Sequence, residues 1–140
     1  MLLAEDNEFN AMLAKELLSL MGLKVLLAID GAEACRHAEQ QRFDVILMDC
    51  QMPNVDGYEA TRRIRHAERA ASKPPVAIVA VTANALAGDR EKCLAAGMND
   101  YLAKPYSAAQ LRSKLIAWLP EPAHRAATPA STSPSRALES

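Results

Sequence analysis

The chain has 140 residues, of which 50% are hydrophobic and 24% are charged, a composition typical of one globular domain that can bury a core. Its 16 basic and 17 acidic side chains leave a net charge of −1, so no global charge attracts it to nucleic acid or to a membrane surface. The three cysteines lie far apart, and no histidine stands at metal-ligand spacing, which argues against a zinc site and a disulfide framework. No apolar run is long enough to span a membrane and no signal peptide opens the chain, so we expect a cytoplasmic domain.

Five short apolar runs are separated by longer stretches with helical character. The runs are rich in Val, Ile and Leu and are apolar at consecutive positions, which is typical of strands buried on both faces of a parallel sheet. They are residues 1–4, 24–29, 44–48, 76–82 and 101–103.

The first predicted helix, over about residues 7–21, follows Asp6 and stops at Gly22. Ala14 and Leu18 make its apolar arc wider than one buried face requires. The extra width fits either a deeply packed helix or a surface that docks a partner. The predicted core stripe consists of Phe9, Leu13, Leu17, Leu20 and Met21.

Four more helices are predicted from the residues at their ends. They begin after Asp30 with Glu33, at Gly57, after Asn84, and at a capping box of Ser107 and Gln110; the last two end before Gly97 and near Leu119. The third of the five helices carries a basic run, which we interpret as a solvated face beside Glu59 and Glu68. The run consists of Arg62, Arg63, Arg65 and Arg69.

Strands that alternate with helices predict an α/β fold, a doubly wound (βα)5 three-layer sandwich around a parallel five-stranded sheet. Ligands of such folds bind beyond the carboxyl ends of the strands, where polar residues stand here: Glu5, Asp6, Asp49, Thr82 and Lys104. In the flavodoxin-like strand order 2-1-3-4-5, strands one and three are neighbours. The three carboxylates then converge at one edge of the sheet.

Three neighbouring carboxylates repel one another and need a compensating cation. Oxygen ligands without His or Cys favour Mg²⁺, with Mn²⁺ as the alternative. A cation, the Lys104 ammonium and the Thr82 hydroxyl around one cavity suit a phosphoryl group. A carboxylate such as Asp49 can itself act as the nucleophile and form an aspartyl phosphate.

Four motifs in order, LLAEDNEFN, VILMDCQMPNVDG, VTAN and YLAKPYS, resemble the receiver domain of two-component response regulators over residues 1–119. The pattern MDxQMPxxDG with its acidic pair is most similar to receivers of hybrid sensor histidine kinases. The resemblance implies that Asp49 is the phosphoacceptor. It implies that Mg²⁺ is held by Glu5, Asp6, Asp49 and the backbone carbonyl of Gln51.

The same resemblance implies a switch. Lys104 would bind a phosphoryl oxygen, Thr82 would move toward the phosphate, and Tyr101 would swing inward. The face formed by helix four, strand five and helix five would then change shape. The bond between Lys104 and Pro105 would be cis.

The expected function is therefore that of a phosphoacceptor receiver in a phosphorelay, which catalyses only its own phosphorylation and dephosphorylation. Its partner would be the catalytic and dimerisation domain of a histidine kinase or a histidine phosphotransfer domain, and the parent protein would be a kinase. A stand-alone response regulator and a phosphorylation-independent interaction module remain alternatives. A haloacid-dehalogenase-type phosphatase needs an Asp where Gln51 stands, and a dinucleotide-binding domain needs a G-x-G-x-x-G motif after strand one, which is missing.

Residues 120–140 differ in composition from the rest. Fifteen of these 21 residues are Pro, Ala, Ser or Thr, which predicts a linker or tail after the domain of residues 1–119. None of the three histidines, His37, His66 and His124, fits as a phosphodonor, so the donor lies elsewhere. Cys50 is expected to be a buried structural thiol because nothing basic beside it lowers its pKa.

Overall fold

The computed structural model describes residues 1–83 and 87–119, in which five strands alternate with five helices. The strands are β1 (Leu2–Ala4), β2 (Leu26–Ala28), β3 (Val45–Asp49), β4 (Ala77–Thr82) and β5 (Asp100–Ala103). The helices are α1 (Glu8–Leu20), α2 (Gly31–Gln40), α3 (Gly57–Ala70), α4 (Ala87–Ala96) and α5 (Ala108–Trp118).

The strands form one parallel sheet in the order β2-β1-β3-β4-β5, which confirms the predicted doubly wound α/β fold. β2 is shorter than the predicted run of residues 24–29, whereas β5 begins one residue earlier than predicted. Because β1 lies between β2 and β3, the chain reverses its direction of winding at the β1–β3 pair. The carboxyl ends of these two strands therefore flank a crevice.

Successive strand residues point to opposite faces of the sheet, and each face is covered by helices. Leu2, Ile46 and Ile78 belong to the apolar cluster beneath α2, α3 and α4. The residue that follows each of them belongs to the cluster beneath α1 and α5: Leu3, Leu47 and Val79. Both faces are buried, which explains why the strands are apolar at consecutive positions.

The helix ends follow the predicted capping chemistry. Asp30 accepts a hydrogen bond from the Glu33 amide at 2.8 Å, α3 begins at Gly57, and Ser107 and Gln110 form a reciprocal capping box. At α1 the cap is one residue later than Asp6, because Asn7 accepts from the amide of the third residue after it. The predicted cap Asn84 and the predicted tail of residues 120–140 lie outside the described residues.

The predicted core stripe of α1 is wrong for three of its five residues. Phe9, Leu13 and Leu20 are 63%, 46% and 81% exposed. The residues that α1 buries are Ala11, Ala14 and Leu18, while Leu17 and Met21 pack at the margin of the cluster beneath α1 and α5. The helix is apolar over a wider arc than the sheet covers, so the apolar pattern alone did not locate the buried face.

The prediction of a fully solvated basic face on α3 is also wrong at one position. Arg62 and Arg63 are exposed and pair with Glu59, as expected. Arg65 and Glu68, however, are each only 8% exposed and pair with each other at 2.9 Å. Within residues 1–83 and 87–119, no helix is long and apolar enough to cross a lipid bilayer.

Candidate functional site

Three carboxylates meet in the crevice at the carboxyl ends of β1 and β3. Glu5 and Asp6 follow β1 directly, and Asp49 is the last residue of β3. One carboxylate oxygen from each lies within 4.8 Å of the other two. Glu5 and Asp49 are buried and Asp6 is exposed, so the cluster opens to solvent on one side only.

Backbone amides orient the two buried carboxylates. The Asn7 amide donates to Glu5 Oε2 at 3.1 Å, and the Gln51 amide donates to Asp49 Oδ1 at 3.1 Å. Both donors lie two residues beyond the acid that they bind, where the chain turns away from the sheet. The second oxygen of each carboxylate is left to face the crevice.

Lys104 joins the two buried acids. Its Nζ atom lies 3.3 Å from Glu5 Oε1 and 3.3 Å from Asp49 Oδ2. Burial alone would lower the pKa of Lys104, but the negative charges of Asp49 and Glu5 outweigh it and raise that pKa. Burial raises the pKa of Glu5 to about 7, and the neighbouring Asp49 adds to the effect. One ammonium thus only partly compensates the acidic cluster.

The backbone holds Lys104 in place. Its amide donates to the carbonyl of Thr82 at 2.8 Å, one step beyond the β4–β5 ladder. The peptide bond between Lys104 and Pro105 is cis. The contacts of its Nζ atom show that the side chain extends from the end of β5 toward Glu5 and Asp49.

Thr82 and Tyr101, the residues implied in a switch, lie on β4 and β5. Thr82 is fully buried, with its hydroxyl 3.5 Å from Asp89 Oδ2 in the first turn of α4. Tyr101 is half-buried against the cluster beneath α2, α3 and α4, and Lys114 Nζ lies 5.4 Å from its ring centroid. Their movement stays a prediction.

Cys50, directly after Asp49, is buried as expected, and burial raises its pKa to about 12. Gln51 is exposed, and the role of its carbonyl as a metal ligand stays a prediction. Asp89, whose carboxylate lies next to the Thr82 hydroxyl, was not identified from the sequence. Its place in the first turn of the helix after β4 is the signal that points to it, because this position lies near the end of the strand.

Close packing brings α3 up to the acidic cluster. A Cβ atom on Gly57 would lie 2.3 Å from the carbonyl oxygen of Asp49 and 2.9 Å from Cys50 Cα. The Gly57 amide donates to the Cys50 carbonyl at 3.2 Å. Only a residue without a side chain permits this approach.

The fold and the site together define a doubly wound α/β domain with an acidic pocket and a lysine at its topological switch point. Residues 1–116 match the family model described as "Response regulator receiver domain". The chain belongs to this family, as its four motifs indicated.

Known relatives are sensor kinases and receivers. The chain is 40% identical over 117 residues to the sensor protein GacS of Pseudomonas syringae, an alignment that covers 84% of this chain and 13% of GacS. It is 53% identical to the receiver domain of the sensor histidine kinase PA1611 of Pseudomonas aeruginosa, whose crystal structure has a magnesium ion in the active-site cleft (TM-score 0.76, 84% of this chain, 93% of that one).

A third relative is a receiver bound to its partner. The receiver domain of Saccharomyces cerevisiae Ssk1, solved with the histidine phosphotransfer protein Ypd1, is 34% identical, with a TM-score of 0.80 and coverage of 84% of this chain and 86% of that one. The chain spans only about an eighth of the length of GacS.

Proposed function

We propose that residues 1–119 form a phosphoacceptor domain in which Asp49 takes a phosphoryl group from a phosphohistidine of a partner protein. The observation that carries the proposal is the convergence of Glu5, Asp6 and Asp49 within 4.8 Å, with Lys104 bonded to two of them. In this proposal residues 120–140 are a linker or tail.

The donor set fits Mg²⁺, with Mn²⁺ as the alternative. Three carboxylates without His or Cys are hard oxygen ligands, and the exposed side of the cluster leaves room for water and a phosphoryl oxygen. Glu5, Asp6, Asp49 and the backbone carbonyl of Gln51 would hold the ion, which would supply positive charge to the phosphoryl oxygens. The close relative PA1611, which has magnesium in its cleft, supports this assignment.

The reaction is a transfer between two nucleophiles. A lone pair on an Asp49 carboxylate oxygen forms the new O–P bond while the N–P bond of the phosphohistidine breaks, and the leaving imidazole keeps the bonding pair and takes up a proton. Lys104 exchanges its hydrogen bond to Asp49 for one to a phosphoryl oxygen, so its positive charge stays beside the phosphoryl group during the transfer. Asp49 becomes a mixed anhydride.

The phosphorylated state changes the surface on the β4–β5 side. The Thr82 hydroxyl, 3.5 Å from Asp89 in the present state, bonds a phosphoryl oxygen instead. Tyr101 moves into the space that is vacated. The face formed by α4, β5 and α5 therefore differs between the two states and transmits the signal.

The phosphodonor docks on α1. This helix exposes Phe9, Met12, Leu13 and Leu20 beside the acidic crevice, and Leu13 and Leu20 line a cavity of about 620 Å³ that also reaches Lys104. Several large exposed apolar side chains on one helix are typical of a protein interface. The Ssk1 receiver in complex with Ypd1 supports a histidine phosphotransfer domain, or the dimerisation domain of a kinase, as the partner.

The whole protein would be a hybrid sensor histidine kinase with this domain on the cytoplasmic side.

Intact mass spectrometry tests the proposal. The chain is incubated with Mg²⁺ and acetyl phosphate, and we expect the mass of one phosphoryl group to be added. Asp49→Asn abolishes the adduct, whereas Asp44→Asn, an exposed acid just before β3, does not. Omission of Mg²⁺ abolishes it as well. An equal adduct on Asp49→Asn would refute Asp49 as the phosphoacceptor. No adduct on the native chain would refute the proposal in favour of a phosphorylation-independent interaction module.

A further inference from the structure

Arg65 is a buried cation on α3 that contacts the elements carrying the proposed switch. Its Nε donates to the carbonyl of Gly97 at 2.9 Å, directly after α4, and its Nη2 donates to Asn99 Oδ1 at 2.8 Å, directly before β5. Its Nη1 donates to Glu68 Oε1 at 2.9 Å. A single guanidinium thus holds α3, the end of α4 and the start of β5 together.

The partners of Arg65 extend this network to β4. Glu68 Oε2 accepts from the Val76 amide at 2.8 Å, just before β4. Asn99 binds Ile78 twice, since its side-chain oxygen accepts from the Ile78 amide and its own amide donates to the Ile78 carbonyl, both at 2.8 Å. The network therefore fixes where β5 begins on β4.

Packing at Gly97 adds to the hydrogen bonds. Gly97 has a φ of +108°, and a Cβ atom there would lie 3.0 Å from Arg65 Cγ. Two features favour glycine at the position after α4. Its backbone is left-handed, and a Cβ atom there would press against the methylene groups of Arg65. The glycine directly after α4 therefore packs against the Arg65 side chain.

This network lies at the opposite end of β4 and β5 from the acidic pocket. From Asn99 and Ile78 the ladder runs through Val79–Asp100 to Thr82–Ala103, and Lys104 follows. The position of Lys104 beside Asp49 consequently depends on where β5 starts. Arg65 bonds Glu68, Gly97 and Asn99 rather than the pocket acids, so its effect on the site passes through the elements that it holds.

We propose that Arg65 and Asn99 are positioning residues that clamp one end of the switching face. They keep β5 in register so that Lys104 reaches Asp49, and they hold the last turn of α4 stationary while its first turn, next to Thr82, responds to the phosphate. The second part rests on the proposed function. The clamp determines which end of α4 moves.

Substitution of Arg65 by Lys tests the clamp. Lysine keeps a positive charge opposite Glu68 but cannot bind Glu68, Gly97 and Asn99 at once. Arg62→Lys, an exposed arginine on the same helix, is the matched control. We expect Arg65→Lys to slow the formation of the Asp49 adduct from acetyl phosphate by about tenfold or more, because Lys104 is misplaced.

Mg²⁺ affinity is the readout that a general loss of structure would change. The proposed metal ligands lie at the ends of β1 and β3, and Lys104 bonds two of them, so a misplaced Lys104 should leave the affinity for Mg²⁺ equal to or higher than the native value. Equal losses of adduct rate and Mg²⁺ affinity, or no loss in either, would overturn the clamp. A native chain that forms no adduct would instead refute the proposed function.

A second pair of variants separates the hydrogen bonds of Asn99 from its packing. Asn99→Asp keeps an oxygen that accepts from both Ile78 and Arg65, and it should retain a near-native adduct rate; Asn99→Leu should be as slow as Arg65→Lys.

Amide NMR with Mg²⁺ and beryllofluoride, a phosphoryl mimic, checks the movement of α4. In the native chain the shifts of Gly97, Met98 and Asn99 should stay small, and in Arg65→Lys they should match those of the first half of α4. Equal rates for both Asn99 variants, or large native shifts at residues 97–99, would contradict the clamp.

Discussion

At the scale of single residues, the site combines buried negative charge with close backbone packing. Glu5 and Asp49 are held in place by amide donors and share one ammonium, which offsets their mutual repulsion only in part. The backbone of Asp49 in turn has α3 packed directly against it through Gly57. Changes of a few atoms at these positions alter both stability and chemistry.

Gly57→Ala is expected to destabilise the domain strongly. The new methyl group would collide with backbone atoms of Asp49 and Cys50. Backbone atoms cannot shift as easily as the end of a flexible side chain. We expect the free energy of unfolding to fall by about 2–4 kcal/mol, measured by urea denaturation. Adduct formation at Asp49 should also slow, because the methyl group would displace α3 from the end of β3.

Gly88→Ala is the matched control for Gly57→Ala. Nothing lies within 4 Å of a Cβ atom at Gly88, which is in α4. Here alanine should raise the free energy of unfolding by about 0.5–1 kcal/mol, since it favours the helix. A similar effect of the two substitutions would contradict the close approach at Gly57.

Most residues of the pocket were predictable one at a time, and Arg65 was not. Glu5, Asp6, Asp49 and Lys104 were identified because each directly follows a predicted strand. Arg65 lies among exposed arginines on a charged helix, and its partner Asn99 is 34 residues away. Arg65 shares the buried face of α3 with Thr61, but as a charged residue it gives no apolar signal that marks it as buried.

At the scale of elements, α1 shows how packing selects among apolar residues. The helix buries Ala11, Ala14 and Leu18, of which Ala14 and Leu18 belong to the cluster beneath α1 and α5. Larger apolar side chains then project away from the core. An exposed apolar face beside the acidic crevice is the result.

Phe9→Ser combined with Leu13→Ser tests the docking role of this face. Both side chains are largely exposed, so the fold should be nearly unaffected. We expect phosphotransfer from a phosphorylated histidine phosphotransfer protein to fall by about tenfold or more, because buried apolar anchors contribute most of the affinity of an interface. Labelling by acetyl phosphate, which needs no docking, should be unchanged.

Leu94→Ser is the control for the α1 variant. Leu94 is 49% exposed on α4, away from the face of α1. Its substitution should leave phosphotransfer close to the native rate. Loss of acetyl phosphate labelling in the α1 variant, or equal phosphotransfer losses in both variants, would argue against docking on α1.

At the scale of the whole molecule, the order of the strands creates the site. β1 and β3 are neighbours although α1, β2 and α2 separate them in sequence, and their two ends bring three acids together. Among the described residues, apolar clusters cover both sides of the sheet and draw on all five strands.

A fragment of residues 1–119 is expected to behave as the full chain does. Its thermal midpoint, measured by circular dichroism, should agree with that of the full chain within about 2 °C, because the fragment retains every residue of the two apolar clusters described above. Its rate of adduct formation with Mg²⁺ and acetyl phosphate should also be unchanged. A midpoint lower by about 5 °C or more would show that residues 120–140 contribute to the fold.

The sequence by itself determined the alternation of strands and helices and the residues at each strand end, because these depend on local periodicity and chain order. The strand order was implied only by the resemblance of its motifs to a known family. The tertiary structure decided which face of α1 is buried, that Arg65 is an internal cation, and that Lys104 bonds both Glu5 and Asp49. These features depend on contacts between residues far apart in the chain. Burial and pairing of that kind are properties of the packed molecule and leave no periodic signal in the sequence.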